Sequence, residues 1–169
     1  MRLRAPVLGV LLAFVATCNT SSLEELSVPI RGITLADLRD MYKEEHNGHT
    51  HEAIDIMEPR GTAVRAVVRG TIQKLFLSKP GGITIYLFDN REEYCYYYAH
   101  LDRYADGLRE GMRVEPGDII GYVGSTGNAH ASAPHLHFAI TELGREKRWW
   151  KGKSLDPYPW LVAAVKRNQ

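Results

Sequence analysis

The sequence predicts an all-β, mainly antiparallel domain, and three observations carry that prediction. Apolar and polar residues alternate with period two in six separate short runs. Gly, Pro, Asn and Asp fall between the runs, where turns need them. Most connections are short, whereas parallel strands need crossovers of about a dozen residues or more. At 169 residues, 44% hydrophobic and 24% charged, the chain has material for one core. A formal charge of +1 gives no basic face on which to argue a nucleic-acid partner.

Taken in order, Arg2 and Arg4 precede an apolar run from Ala5 to Ala16, the charged and apolar regions of a secretory signal. Residues 1–18 are therefore predicted to be a signal peptide, with export to the periplasm or cell envelope. Val15-Ala-Thr-Cys18 resembles a lipobox, although Thr17 departs from the small residue usual there. Lipidation of Cys18, with membrane attachment, and an ordinary cleaved signal both stay open. Residues 19–32 show no core pattern and read as a tether, with the folded body over 33–169. Thr34-Leu-Ala-Asp37 carries a capping pattern that predicts a short helix to about Glu45.

The six runs are Ala53 to Ile56, Val64 to Leu77, Ile83 to Phe88, Tyr94 to Leu101, Ile119 to Val123 and Leu136 to Thr141. Cys95 lies inside one of them and reads as a small buried apolar side chain. After Asp156-Pro-Tyr-Pro159 a helical end is predicted over about Trp160 to Lys166. The chain is expected to be monomeric.

Three of these segments carry histidines. In His51-Glu-Ala-Ile-Asp-Ile56, period two sets His51, Ala53 and Asp55 opposite Ile54 and Ile56. In Pro134-His-Leu-His-Phe-Ala-Ile140 it sets His135 and His137 opposite Leu136 and Phe138. In Tyr94 to Leu101 it puts His100 at the end of a strip formed by Tyr94, Tyr96 and Tyr98. Catalytic zinc takes three protein ligands and keeps a fourth position open. His51, Asp55 and one histidine of the HxH pair could supply them. Either motif alone is weak; both together on apolar-backed strands are much stronger.

These segments, with Gly61-Thr-Ala-Val-Arg-Ala66, Tyr98-Ala-His-Leu101, Gly111 to Gly121 and Gly124-Ser-Thr-Gly-Asn128, run in an order that resembles the M23, or lysostaphin/LytM-like, family of zinc endopeptidases. The resemblance covers roughly residues 46 to 160. It implies one zinc per chain held by His51, Asp55 and His137, with His100 and His135 as catalytic histidines. It also implies a single curved sheet with the zinc in an open groove, and hydrolysis of peptide bonds in peptidoglycan stems or cross-links. Ala53 stands where the family favours glycine. No HExxH is present.

A rival reading from another class is a non-catalytic envelope factor that activates a cell-wall amidase. Such relatives have usually lost site positions, and here all five are present. His49 shares the predicted face of His51 and is read as a loop residue, because His51 has the spacing to Asp55. The run Arg145 to Lys153, with Trp149 and Trp150, either flanks the groove, touches an anionic surface or forms a solvated loop, the commonest outcome for such a run. Gly117, Gly121, Gly124 and Gly127 lack a Walker lysine and read as turn glycines.

Overall fold

The computed structural model describes Leu23 and residues 26–168, Asn47 excepted. The predicted signal and Cys18 lie outside the described residues. The strands are β1 (Glu45–His46), β2 (His49–Thr50), β3 (Ile54–Met57), β4 (Ala63–Arg65), β5 (Gly70–Ser78), β6 (Gly82–Asp89), β7 (Tyr94–Tyr104), β8 (Arg113–Val114), β9 (Ile119–Val123), β10 (His135–Leu143) and β11 (Gly152–Leu155), followed by helix α1 (Tyr158–Arg167). All the strand pairs are antiparallel, as predicted.

Among the described residues one open sheet of nine strands has the path β11-β10-β7-β6-β5-β8, with β3 paired to β10, β9 to β7 and β4 to β9, while β1 and β2 form a separate hairpin. Strand β10 is its axis. Along one edge it pairs first with β3, through His135 to Phe138, and then with β11, through Ile140 to Leu143. Along the other edge it pairs with β7. Alternation on β10 buries Leu136, Phe138 and Ile140 completely, and β3 does the same with Ile54 and Ile56. The opposite face of both strands is left for polar groups.

Four expectations are corrected. The capping box at Thr34 is present, but only a 3-10 turn, Leu35–Asp37, follows it. Leu38 turns extended and is buried, so packing of its side chain overrides the helical pattern. The long run Val64 to Leu77 is two strands, because the chain leaves β4 with Ala66, Val67 and Val68 buried before β5 begins. The described part of the 19–32 tether belongs to the folded body. Leu23, Leu26 and Ile30 are buried in the main cluster, Ser27 donates its N–H to Val67, and Pro29 accepts the N–H of Arg65.

The fourth correction concerns β7. Tyr96 and Tyr98 lie on its core side, both fully buried, with the Tyr98 hydroxyl accepting the Val67 N–H at 3.1 Å. They do not line a strip beside His100.

Helix α1 closes the domain against the N-terminal segment: Leu161, Ala164 and Val165 are buried, and the Arg167 guanidinium donates to the Leu26 carbonyl. Leu26→Ala is expected to lower unfolding stability by about 2–5 kcal/mol, the usual cost of a buried leucine. Chemical denaturation checks this, and a loss near zero would restore the tether reading. Cys95 is buried with a free thiol whose pKa burial pushes up.

Candidate metal centre

Register brings the site together. On the polar face, His137 of β10 stands directly opposite Asp55 of β3. His51 reaches the same point from outside the strand: its N–H is held by the Glu44 carbonyl, and Glu52 follows in a left-handed conformation, φ 53°, with its N–H on Tyr42. Asp55 Oδ1 lies 3.1 Å from His51 Nε2 and 3.0 Å from His137 Nδ1, and the two nitrogens are 3.2 Å apart.

At most two of these three contacts can be hydrogen bonds at once, whereas a shared cation satisfies all three. A tetrahedral zinc with bonds of about 2.0–2.1 Å has ligand–ligand edges of about 3.3 Å, close to this triangle. Two imidazoles and one carboxylate are also a donor set that zinc accepts. The residues therefore fit the metal. Burial works to raise the Asp55 pKa, but hydrogen bonds and charge from His137 and His51 outweigh it and hold the carboxyl below its usual range. Burial likewise opposes protonation of His51, and Asp55 outweighs it to raise that pKa.

His100 arrives by a different device. Strict alternation would point it into the core with Tyr96 and Tyr98. Instead it takes φ 57° where the β6–β7 register shifts, so the bulge carries its ring over to the His137 side. Its ring centroid lies 4.9 Å from His135 and 5.5 Å from His137. This left-handed residue is strained for an L side chain. It is held by its N–H on the Gly81 carbonyl and its Nδ1 on the Thr126 carbonyl, both at 2.8 Å.

Thr126 is itself clamped, its hydroxyl donating to Leu101 and accepting the Ile83 N–H. Gly82 and Gly127, both at positive φ, press so closely on this loop that a Cβ on either would clash with backbone. Sequence reasoning missed Thr126; Gly124-Ser-Thr-Gly-Asn128 counted toward the family resemblance and as a turn, with no role given to the threonine.

Both of the remaining histidines have one ring nitrogen fixed by a carbonyl. His135 Nδ1 sits 2.9 Å from the Ala133 carbonyl, and His100 Nδ1 sits on Thr126. A carbonyl only accepts, so each Nδ1 carries the proton and each Nε2 faces the site. Burial, reinforced by the neighbouring His137 and His135, lowers the His100 pKa to about 4, against the opposing Thr126 contact. His135 Nε2 lies 3.8 Å from Asp55 Oδ2.

All five predicted site residues thus converge on one groove. Above the triangle, a limb of about 520 Å³ is lined by His51, Asp55, Tyr97, His100, His135 and His137, with His49 and His130 at its mouth. His49 is exposed and stays outside the triangle.

Comparison with known proteins identifies the family. The model of peptidase family M23 matches residues 49–157. The chain is 36% identical over 118 residues to the L-Ala--D-Glu endopeptidase of Bacillus subtilis, a match covering 67% of this chain and 35% of that protein. It is 34% identical over 119 residues to the glycyl-glycine endopeptidase ALE-1 of Staphylococcus capitis, covering 70% and 31%. The chain therefore spans about a third of the length of these curated relatives. Among solved structures, the catalytic domain of lysostaphin from Staphylococcus simulans superposes with a TM-score of 0.58 at 33% identity, covering 70% of this chain and 84% of that one. A lytM structure from Ruminococcus gnavus gives 0.66 at 28% identity, covering 76% and 54%. With the family model covering well over half the chain, and solved structures superposing on its fold, this chain belongs to peptidase family M23.

Proposed function

We propose that the chain is an exported zinc endopeptidase that hydrolyses peptide bonds in peptidoglycan, with His51, Asp55 and His137 as metal ligands and His100 and His135 as proton carriers. The observation that carries this is the His51–Asp55–His137 triangle facing two further histidines whose Nε2 atoms are both turned to it. When bound there, zinc supplies Lewis acidity, polarising a carbonyl and lowering the pKa of a water to about 7.

The chain's own residues do the rest. His100, kept uncharged by burial, offers a lone pair at Nε2 and accepts a proton there. His135, whose Nε2 lies 3.8 Å from Asp55 Oδ2, stands where a protonated ring donates to the developing oxyanion or the leaving amine. The burial of His100, against the partly exposed His135, supports this division.

The relatives' names, an L-Ala--D-Glu and a glycyl-glycine endopeptidase, support peptide bonds of the stem or bridge kind as the substrate, and an open groove suits a polymer. We further propose that residues 1–18 direct export, that Cys18 is the point of any lipid anchor, and that the peptidase body begins before residue 33. A non-catalytic amidase activator would not need the five site residues, all of which are here. Chelation is expected to abolish release of soluble fragments from purified sacculi, and added zinc to restore it. Undiminished release by the metal-free chain would sink the mechanism.

A further inference from the structure

Past the metal triangle the groove continues into a second limb of about 420 Å³, which shares His51, Tyr97 and His137 with the first. Its walls are aromatic. Ring centroids step from His137 to Tyr97 at 6.0 Å, to Tyr86 at 4.7 Å, to Trp149 at 4.6 Å and to Trp150 at 5.1 Å. The succession runs unbroken from a site histidine to the rim.

Trp149 is fixed in place, with Phe76 of the β5–β6 hairpin 5.3 Å away and the Phe88, Cys95 and Leu143 cluster behind it. Trp150 stands 76° to Trp149, so the two indoles make a corner, and Trp150 is 61% exposed. The aromatic surface belongs to a built wall continuous with the catalytic groove, unlike an isolated apolar side chain on a surface.

The chemistry of the wall selects its occupant. Stem and bridge peptides are built from alanine, glutamate, glycine and diamino acids, none of which carries a large apolar group that would fill an aromatic corner. The sugars of the glycan strand do offer one: a pyranose ring has broad C–H faces that lie against indole and phenol faces, and hydroxyl and amide edges that seek polar partners. Thr141, Lys151 and Ser154 line the same limb and supply such partners.

We propose that this limb is a saccharide subsite that seats an N-acetylated pyranose ring of the glycan strand, so that the chain cuts peptides still attached to sugar. The inference rests on the peptidoglycan endopeptidase reading and adds to it where along the polymer the cut falls.

Calorimetric titration of the zinc-loaded chain with chitotetraose, the β-1,4 tetramer of N-acetylglucosamine, tests it. This is run beside turnover of sacculi and of a sugar-free stem-peptide dimer. Trp150→Ala is the first variant, because its exposed ring can be removed without disturbing the core. Trp149→Phe is the second. The wild type is expected to bind the tetramer saturably. Trp150→Ala is expected to weaken binding and to raise KM on sacculi by roughly fivefold to tenfold, the range of one aromatic contact. Turnover of the sugar-free dimer stays unchanged.

No binding by the wild type, or equal binding by Trp150→Ala, overturns the subsite. Sacculi cut normally in that case would leave the peptidase reading intact. Tetramer binding that is lost in Trp150→Ala, with sacculi left uncut by every form, would keep the subsite and reject the peptidase.

Discussion

Replacing His137 by alanine is expected to strip the chain of zinc and bring its turnover of sacculi down to the level of buffer alone. The expectation follows from the triangle. His137 Nδ1 is 3.0 Å from Asp55 Oδ1 and 3.2 Å from His51 Nε2, so its removal leaves two ligands where a catalytic zinc takes three. Loss of an outer partner alone typically weakens metal affinity about 10–100-fold, and loss of a ligand should exceed that. Metal content after dialysis, read by elemental analysis, checks the claim. His49→Ala is the matched control: that side chain is exposed at the groove mouth and outside the triangle, so zinc and turnover should persist. Retention of one zinc by His137→Ala would show that the metal is held elsewhere.

The second large effect falls on proton transfer without touching the metal. His100→Ala and His135→Ala are each expected to lower kcat on sacculi by about 10²–10⁴-fold at unchanged zinc content, the usual contribution of a positioned acid or base. Each ring presents Nε2 to the site only because a backbone carbonyl holds the proton on Nδ1. Thr126→Val should act in the same direction as His100→Ala but less strongly, since it removes the two hydroxyl bonds that set the carbonyl under His100. Thr126→Ser should recover most of the loss. If zinc content falls in step with kcat in His100→Ala, that residue is a ligand, and its assigned role is wrong.

Much of this was legible in the residues. Alternation around Ile54 and Ile56, and around Leu136, Phe138 and Ile140, marks the core faces of β3 and β10, and thereby the face on which Asp55, His135 and His137 project. Spacing alone left open which histidine of the HxH pair binds metal; the family resemblance assigned it. His51 and His137 converge on one Asp55 oxygen, while His135 Nε2 lies 3.8 Å from the other.

What escaped sequence reading depends on departures from regular geometry or on distant contacts. Period two misplaces His100 and the tyrosines before it, because a bulge with a left-handed residue reverses the face at that one position. Leu23, Leu26 and Ile30 follow no period; their burial comes from packing against the rest of the core, with α1 tied to this segment by Arg167. Trp149 and Trp150 gain meaning only once Tyr86 and Tyr97, on other strands, are set beside them.

Digestion of purified sacculi by the zinc-loaded chain, with the soluble products identified by mass, decides whether the chain is a peptidoglycan endopeptidase. Fragments that differ from the starting material by water added across a defined peptide bond are expected, and none with the His137→Ala chain. Zinc bound at one per chain with every peptide bond left whole would contradict it.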